Sequence, residues 1–150
     1  AEHYKGAPWV IHNLIDCVAK GGSFMVCLGP DEFGKFHPKA VEQLEEVGRW
    51  LKVNGKGIYE TRLRDVWKEG DIWFTRSKDS KQVYAFVNKF PEKELIIQSV
   101  TPKKGSKVYL FWLQKSPEMD TDRAGRKNRN SRRIAIARKP SLRTCLGISV

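Results

Sequence analysis

Apolar positions set a helical rhythm at the start of the chain. Trp9, Val10, Ile11, Leu14, Ile15 and Val18 recur at the spacing that lines one helix face, and Pro8 suits a first turn. The pattern predicts a helix from Pro8 to Lys20, ended by Gly21-Gly22, because glycine accepts a left-handed cap without steric cost. Ser23 to Leu28 then forms a short unbroken apolar run bounded by Gly and Pro, which predicts a fully buried strand of the parallel type. A loop from Gly29 to Phe36 leads to a second helix opened by Pro38, with Val41, Leu44, Val47, Gly48 and Leu51 on its stripe and Asn54-Gly55 at its end. Helix, strand, loop and helix in that order describe an α/β unit. Such units present ligand-contacting groups from the carboxyl end of the strand and the loop after it.

Beyond Gly57 the rhythm changes to alternation. Ile58–Thr61, Asp71–Arg76, Gln82–Asn88, Glu94–Gln98 and Lys107–Leu113 are short β-branched and aromatic runs separated by turn clusters such as Lys78-Asp79-Ser80. They predict an antiparallel sheet belonging to a sandwich.

Charge divides the chain once more. Of the net +11 carried by 150 residues, +7 lies in residues 115–150, where ten Lys and Arg face Glu118, Asp120 and Asp122. All sixteen aromatic residues precede that tail, so a boundary falls near Ser116-Pro117. A basic, aromatic-free arm suits phosphate neutralisation, and a nucleic-acid-binding protein is one alternative. Residues 1–114 supply no companion for it: no zinc-finger spacing, no RNP-like aromatic strand and no basic recognition helix. No stretch approaches the roughly 20 apolar residues of a membrane-spanning helix, and no basic segment followed by an apolar run opens the chain. Cys17, Cys27 and Cys145 match neither a disulfide framework nor a metal knuckle, and His3, His12 and His37 have no partners at ligand spacing, so no metal site is expected. His37, just before Pro38, is expected to cap the second helix.

The run from Asp16 to Asp31 (Asp-Cys-Val-Ala-Lys-Gly-Gly-Ser-Phe-Met-Val-Cys-Leu-Gly-Pro-Asp) resembles the strand that closes the catalytic barrel of family 29 glycoside hydrolases, the α-L-fucosidases. Glu46 to Gly55, followed by Ile58-Tyr59-Glu60-Thr61-Arg62, resembles that family's last barrel helix and its exit into a C-terminal sandwich. Phe74 to Asp79 and Val83-Tyr84-Ala85-Phe86 are similar to the first sandwich hairpin. The resemblance covers roughly residues 8–113 in order. Ser23 and Cys27 stand where the family usually has Asn, and a thiol cannot fully replace an amide as donor and acceptor.

The resemblance implies an α/β plus β chain: the closing helix-strand-helix of a (β/α)8 barrel (residues 1–57), an incomplete antiparallel β-sandwich (58–115) and an irregular tail (116–150). It implies retaining hydrolysis of terminal α-L-fucose, in which one carboxylate attacks the anomeric carbon and a second carboxylic acid protonates the departing oxygen. The family's nucleophile and acid/base precede the Gly-Gly strand, so this chain is expected to be a fragment without the nucleophile, inactive alone. Glu2 has no supporting motif and is read as an exposed terminal residue. No cofactor is implied. The substrate of the intact parent would be a fucosylated glycan or glycoside, in a secreted, periplasmic or lysosomal setting, with no role for nucleic acid or membrane.

Phe24 is the candidate substrate-binding residue, since the family lines the pocket for the fucose methyl group with aromatic side chains. Packing in the barrel core is the other role open to it, because strand side chains alternate. Trp50, Trp67, Trp73 and Trp112 could stack on sugars, which would make the chain a carbohydrate-binding module. Their spread over helix, loop and strands favours core packing.

The resemblance stops near Lys115, and the tail reads as an out-of-frame version of the missing strands. Met119-Asp120 must be encoded ATG-GAY, and moving one base downstream forces Trp at that point. Arg143 to Gly147 likewise permits Glu-His-Ala-Trp-Val in the shifted frame, similar to the family's closing strand.

Overall fold

A computed structural model describes residues 4–88, 95–101, 108–111, 134–136 and 144–149. Helix α1 spans Ala7–Ala19 and α2 spans Pro38–Asn54. Ala7, Ile11, Ile15 and Ala19 are the buried positions of α1, a stripe at intervals of four. The backbone N–H of Gly6, ahead of α1, donates to Gln43 Oε1 at 3.0 Å, tying the starts of the two helices together. In α2 the buried positions are Ala40, Val47 and Asn54, with Leu44 and Leu51 half-buried between them. Val41, expected on the inner stripe, is 40 % exposed, because the face turns toward Ala40. His37 does cap α2: its Nδ1 accepts from the Lys39 N–H at 3.2 Å.

The helix continues into a 3₁₀ turn, Gly55–Gly57, whose first residue lies so close to Tyr59 that an added Cβ would stand 2.8 Å from the ring. The strand expected at Ile58–Thr61 is displaced. Glu60 is in the left-handed region (φ 57°), which breaks the extended backbone, and only Thr61–Arg62 forms a short strand, β1.

The remaining strands are β2 (Lys68–Glu69), β3 (Ile72–Ser77), β4 (Gln82–Val87), β5 (Leu95–Ile97), β6 (Val108–Leu110), β7 (Ile134–Ile136) and β8 (Thr144–Ser149). The expected runs at 71–76, 82–88, 94–98 and 107–113 thus each supply a strand. The main sheet is ordered β1-β3-β4-β8-β6, with β2 also pairing β3, and β5 and β7 form a second, two-stranded sheet. All pairings are antiparallel. β8 and β7 fall in the basic tail, so these two segments are strands where an irregular tail was expected. β8 pairs along all six residues of β4, from Gln82 opposite Ser149 to Val87 opposite Thr144, so its backbone groups are satisfied by the sheet.

Alternation gives the β3–β4 hairpin two buried faces. Trp73, Tyr84 and Phe86 meet Ile11, Ile15 and Val47 of the helices. On the other face Ile72, Phe74, Val83, Ala85 and Val87 meet Leu95, Ile97, Val100 and Val108. Thr75, fully buried, is satisfied by donating to the Gly57 carbonyl at 2.7 Å.

Candidate functional site

The segment carrying Phe24 begins where α1 stops. Gly21 (φ 82°) supplies the left-handed cap; its N–H donates to the Val18 carbonyl, and that of Gly22 to the Cys17 carbonyl, both at 2.9 Å. This is the paired-bond arrangement that satisfies the last carbonyls of a helix and turns the chain back. From there residues 23–30 carry no strand pairing. The expected buried strand at Ser23–Leu28 is therefore corrected. No neighbour of the parallel kind is present among the described residues, and an apolar run without one has nowhere to place its backbone hydrogen bonds except water.

Burial in this segment falls on two side chains, while Val26 between them is 39 % exposed. Phe24 and Leu28 are half-buried, and the Phe24 ring lies 6.2 Å from that of Trp9 on α1, tilted by 60°. Lys5 Nζ sits 4.2 Å from the centre of the Trp9 ring. Ser23, Met25 and Cys27 are exposed, Met25 at 81 %. The loop beyond folds on Asp31, whose Oδ1 accepts the N–H groups of Phe33 (2.9 Å) and Lys35 (2.7 Å). The carboxylate nearest the segment in sequence is thus committed to its own turn. A thioether, a hydroxyl and a thiol on an open face suit contact with a ligand.

A polar cluster fixes α1, and with it this segment, on the sheet. Asp16 Oδ1 accepts from the Trp73 indole at 3.0 Å, and its Oδ2 accepts from Lys20 Nζ at 2.6 Å. His12 meets the Trp73 ring edge-on at 5.2 Å, Lys68 Nζ lies 4.5 Å from the centre of the same ring, and Lys20 Nζ lies 5.1 Å from that of Trp67. The Lys20 hydrogen bond holds the Asp16 carboxyl below its ordinary value, with help from Trp73 and against partial burial. The i,i+4 spacing of Asp16 and Lys20 is visible in sequence, whereas the partnership with Trp73, 57 residues away, is not.

Trp73 is buried and Trp50 and Trp67 are half-buried, all three in the layer between helices and sheet, as their spread along the chain suggested. Trp112, His3 and Glu2 lie outside the described residues. Among the described residues no three His, Cys, Asp or Glu side chains gather as a metal site, and no helix is long and apolar enough to cross a membrane.

Residues 1–56 match the family model described as Alpha-L-fucosidase. The α-L-fucosidase of Dictyostelium discoideum is 34 % identical over 102 residues, which cover 66 % of this chain and 22 % of that protein. The human tissue α-L-fucosidase is 31 % identical over 117 residues, covering 75 % of this chain and 25 % of that protein. Among solved structures, a family 29 α-L-fucosidase from Bacteroides thetaiotaomicron, trapped as a covalent intermediate with 2-fluoro-fucosyl fluoride, shares the fold. Its TM-score is 0.78 at 23 % identity, over 99 % of this chain and 33 % of that one. The chain thus spans about a quarter of the length of the curated relatives it matches. A sequence match that continues from the helices into the sheet, on a fold shared almost throughout, places this chain in the α-L-fucosidase family of glycoside hydrolases.

Proposed function

We propose that this chain is the C-terminal part of a retaining α-L-fucosidase, which releases terminal α-L-fucose from glycans or glycosides. In this reading residues 1–57 hold the closing helix-strand-helix of a (β/α)8 barrel, and residues 58–115 belong to an antiparallel sandwich. The observation that carries it is the segment 23–28: an apolar run inside the family match, placed at the end of α1, yet unpaired and largely open. Such a run fits a strand whose neighbours are supplied by the rest of a barrel.

The side chains of that strand would divide between two jobs. The contact of Phe24 with Trp9 favours packing against the helix layer as its role. Ser23, Met25 and Cys27, on the opposite face, would then turn toward the barrel interior, and Met25 becomes the candidate for an apolar wall beside the sugar's methyl group. Discrimination by such a wall is modest, on the order of 1–3 kcal/mol. The two carboxylates of the retaining reaction would come from the part of the enzyme that precedes this chain, in keeping with the covalent intermediate named for the Bacteroides relative. The basic tail is read as a frame-shifted version of the family's last sandwich strands, which base sequencing around codon 115 tests directly.

The test of function is hydrolysis of an aryl α-L-fucoside. The longer enzyme that carries this sequence is expected to turn it over with retention of configuration, and the 150-residue chain to show no turnover. Turnover by the isolated chain, or inversion by the longer enzyme, would overturn the proposal.

A further inference from the structure

Away from the barrel side, two arginines flank one cleft of about 430 Å³, lined also by Asp65, Ser80 and Thr101 and floored by the buried Val100. Arg76, on β3, donates from Nε to the Leu63 carbonyl at 2.9 Å and from Nη1 to Ser80 Oγ at 2.6 Å. Arg64 donates to the carbonyls of Val66 (3.1 Å) and Ser99, and its guanidinium lies 5.5 Å from the centre of the Phe74 ring. These acceptors are all neutral. Among the described residues neither guanidinium has a carboxylate within ion-pair distance. Glu69, the acid beside Arg64, is already used: its two oxygens accept the N–H groups of Gln98 and Ser99, each at 2.9 Å. Burial disfavours the Glu69 charge, yet those amides, the Ser99 hydroxyl and, least of all, the Arg64 charge outweigh it and hold the carboxyl below its usual range.

Two cations oriented by neutral groups, with hydroxyls beside them, form an arrangement complementary to an oxyanion. A guanidinium presents parallel N–H donors that match carboxylate, sulfate or phosphate oxygens, and pre-orientation removes much of the entropic cost of using them. A purely structural arginine pair would ordinarily be neutralised by adjacent acids. Among the described residues Asp65 is the acid that lines the cleft; it and Glu69 both favour the Arg64 charge, yet burial outweighs them.

We propose that the cleft between Arg64 and Arg76 is an oxyanion-binding site that takes the sulfate ester or carboxylate of an acidic sugar. That the oxyanion is carried on a sugar rests on the fucosidase reading; the charge complementarity does not.

Calorimetric titration of the 150-residue chain with galactose 3-sulfate, glucuronate and neutral galactose tests it. At least one anionic sugar is expected to bind, and galactose not; which of the two binds distinguishes the sources. Arg76→Gln is expected to weaken that binding about tenfold, the size of one charge-assisted contact, while Arg76→Lys retains part of it. Asp65→Asn is expected to tighten it, a sign that loss of folding cannot imitate. Equal behaviour of anionic and neutral sugars, or affinity indifferent to Arg76 and Asp65, would overturn the site. Fucoside hydrolysis by the longer enzyme is read separately, so a failed cleft and a failed enzyme assignment are told apart.

Discussion

Two apolar runs of similar length meet opposite fates. Residues 23–28 stay unpaired, with Met25 and Cys27 facing solvent, while residues 72–76 pair with 83–87 and bury both faces. The difference is where each finds its partner. A hairpin strand has its neighbour a few residues away, joined by the Ser77–Ser80 turn, whereas a parallel strand depends on segments far off in the chain. Apolar character makes a strand competent; only a neighbour makes it a strand.

Deleting a side chain in each region sharpens this contrast. Phe74→Ala, at a fully buried ring between β3, β5 and β6, is expected to cost about 3–5 kcal/mol in denaturant unfolding. Met25→Ala, at 81 % exposure, should stay within about 0.5 kcal/mol. Equal costs would break the comparison. Gly21 caps α1 just ahead of the open run, and Gly21→Ala is expected to lose about 1–2 kcal/mol, because a Cβ at φ 82° is strained and would also press to 3.3 Å from Leu63.

A smaller effect comes from the cluster that seats α1 on the sheet. Asp16→Asn keeps the shape and removes the charge that Lys20 and Trp73 hold, at a cost below about 1 kcal/mol once solvent screening is allowed for. Because the folded-state pKa of Asp16 is depressed below 3.8, that contribution is intact at neutral pH. It is lost as pH falls through the unfolded value toward the folded one. Unfolding curves of wild type and Asp16→Asn should therefore converge under acid conditions and separate near pH 7.

Local rhythm made much of this legible. The helix α1, its glycine stop, the His37 cap and the β3–β4 hairpin all follow from spacings within a few turns of chain, although of the expected α1 stripe only Ile11 and Ile15 are buried and Trp9 is 41 % exposed. The missing partners of Ser23–Leu28 were not legible, since nothing within the run says whether neighbours accompany it. The extended run expected at Ile58–Thr61 failed on one backbone angle at Glu60. β8 was hidden by the basic composition around it, although its place beside β4 is set by backbone pairing. The Arg64–Ser99 contact spans 35 residues and leaves no periodic trace. Phe24 was singled out by resemblance, and only its contact with Trp9 shows which neighbour it meets.

Amide hydrogen exchange at residues 24–28 tests the central proposal most directly, compared between the 150-residue chain and the longer enzyme carrying it. Rapid exchange in the chain and strong protection in the enzyme are expected, with β3 and β4 protected in both. Protection of 24–28 in the isolated chain, or rapid exchange there in the intact enzyme, would contradict a barrel strand waiting for its neighbours.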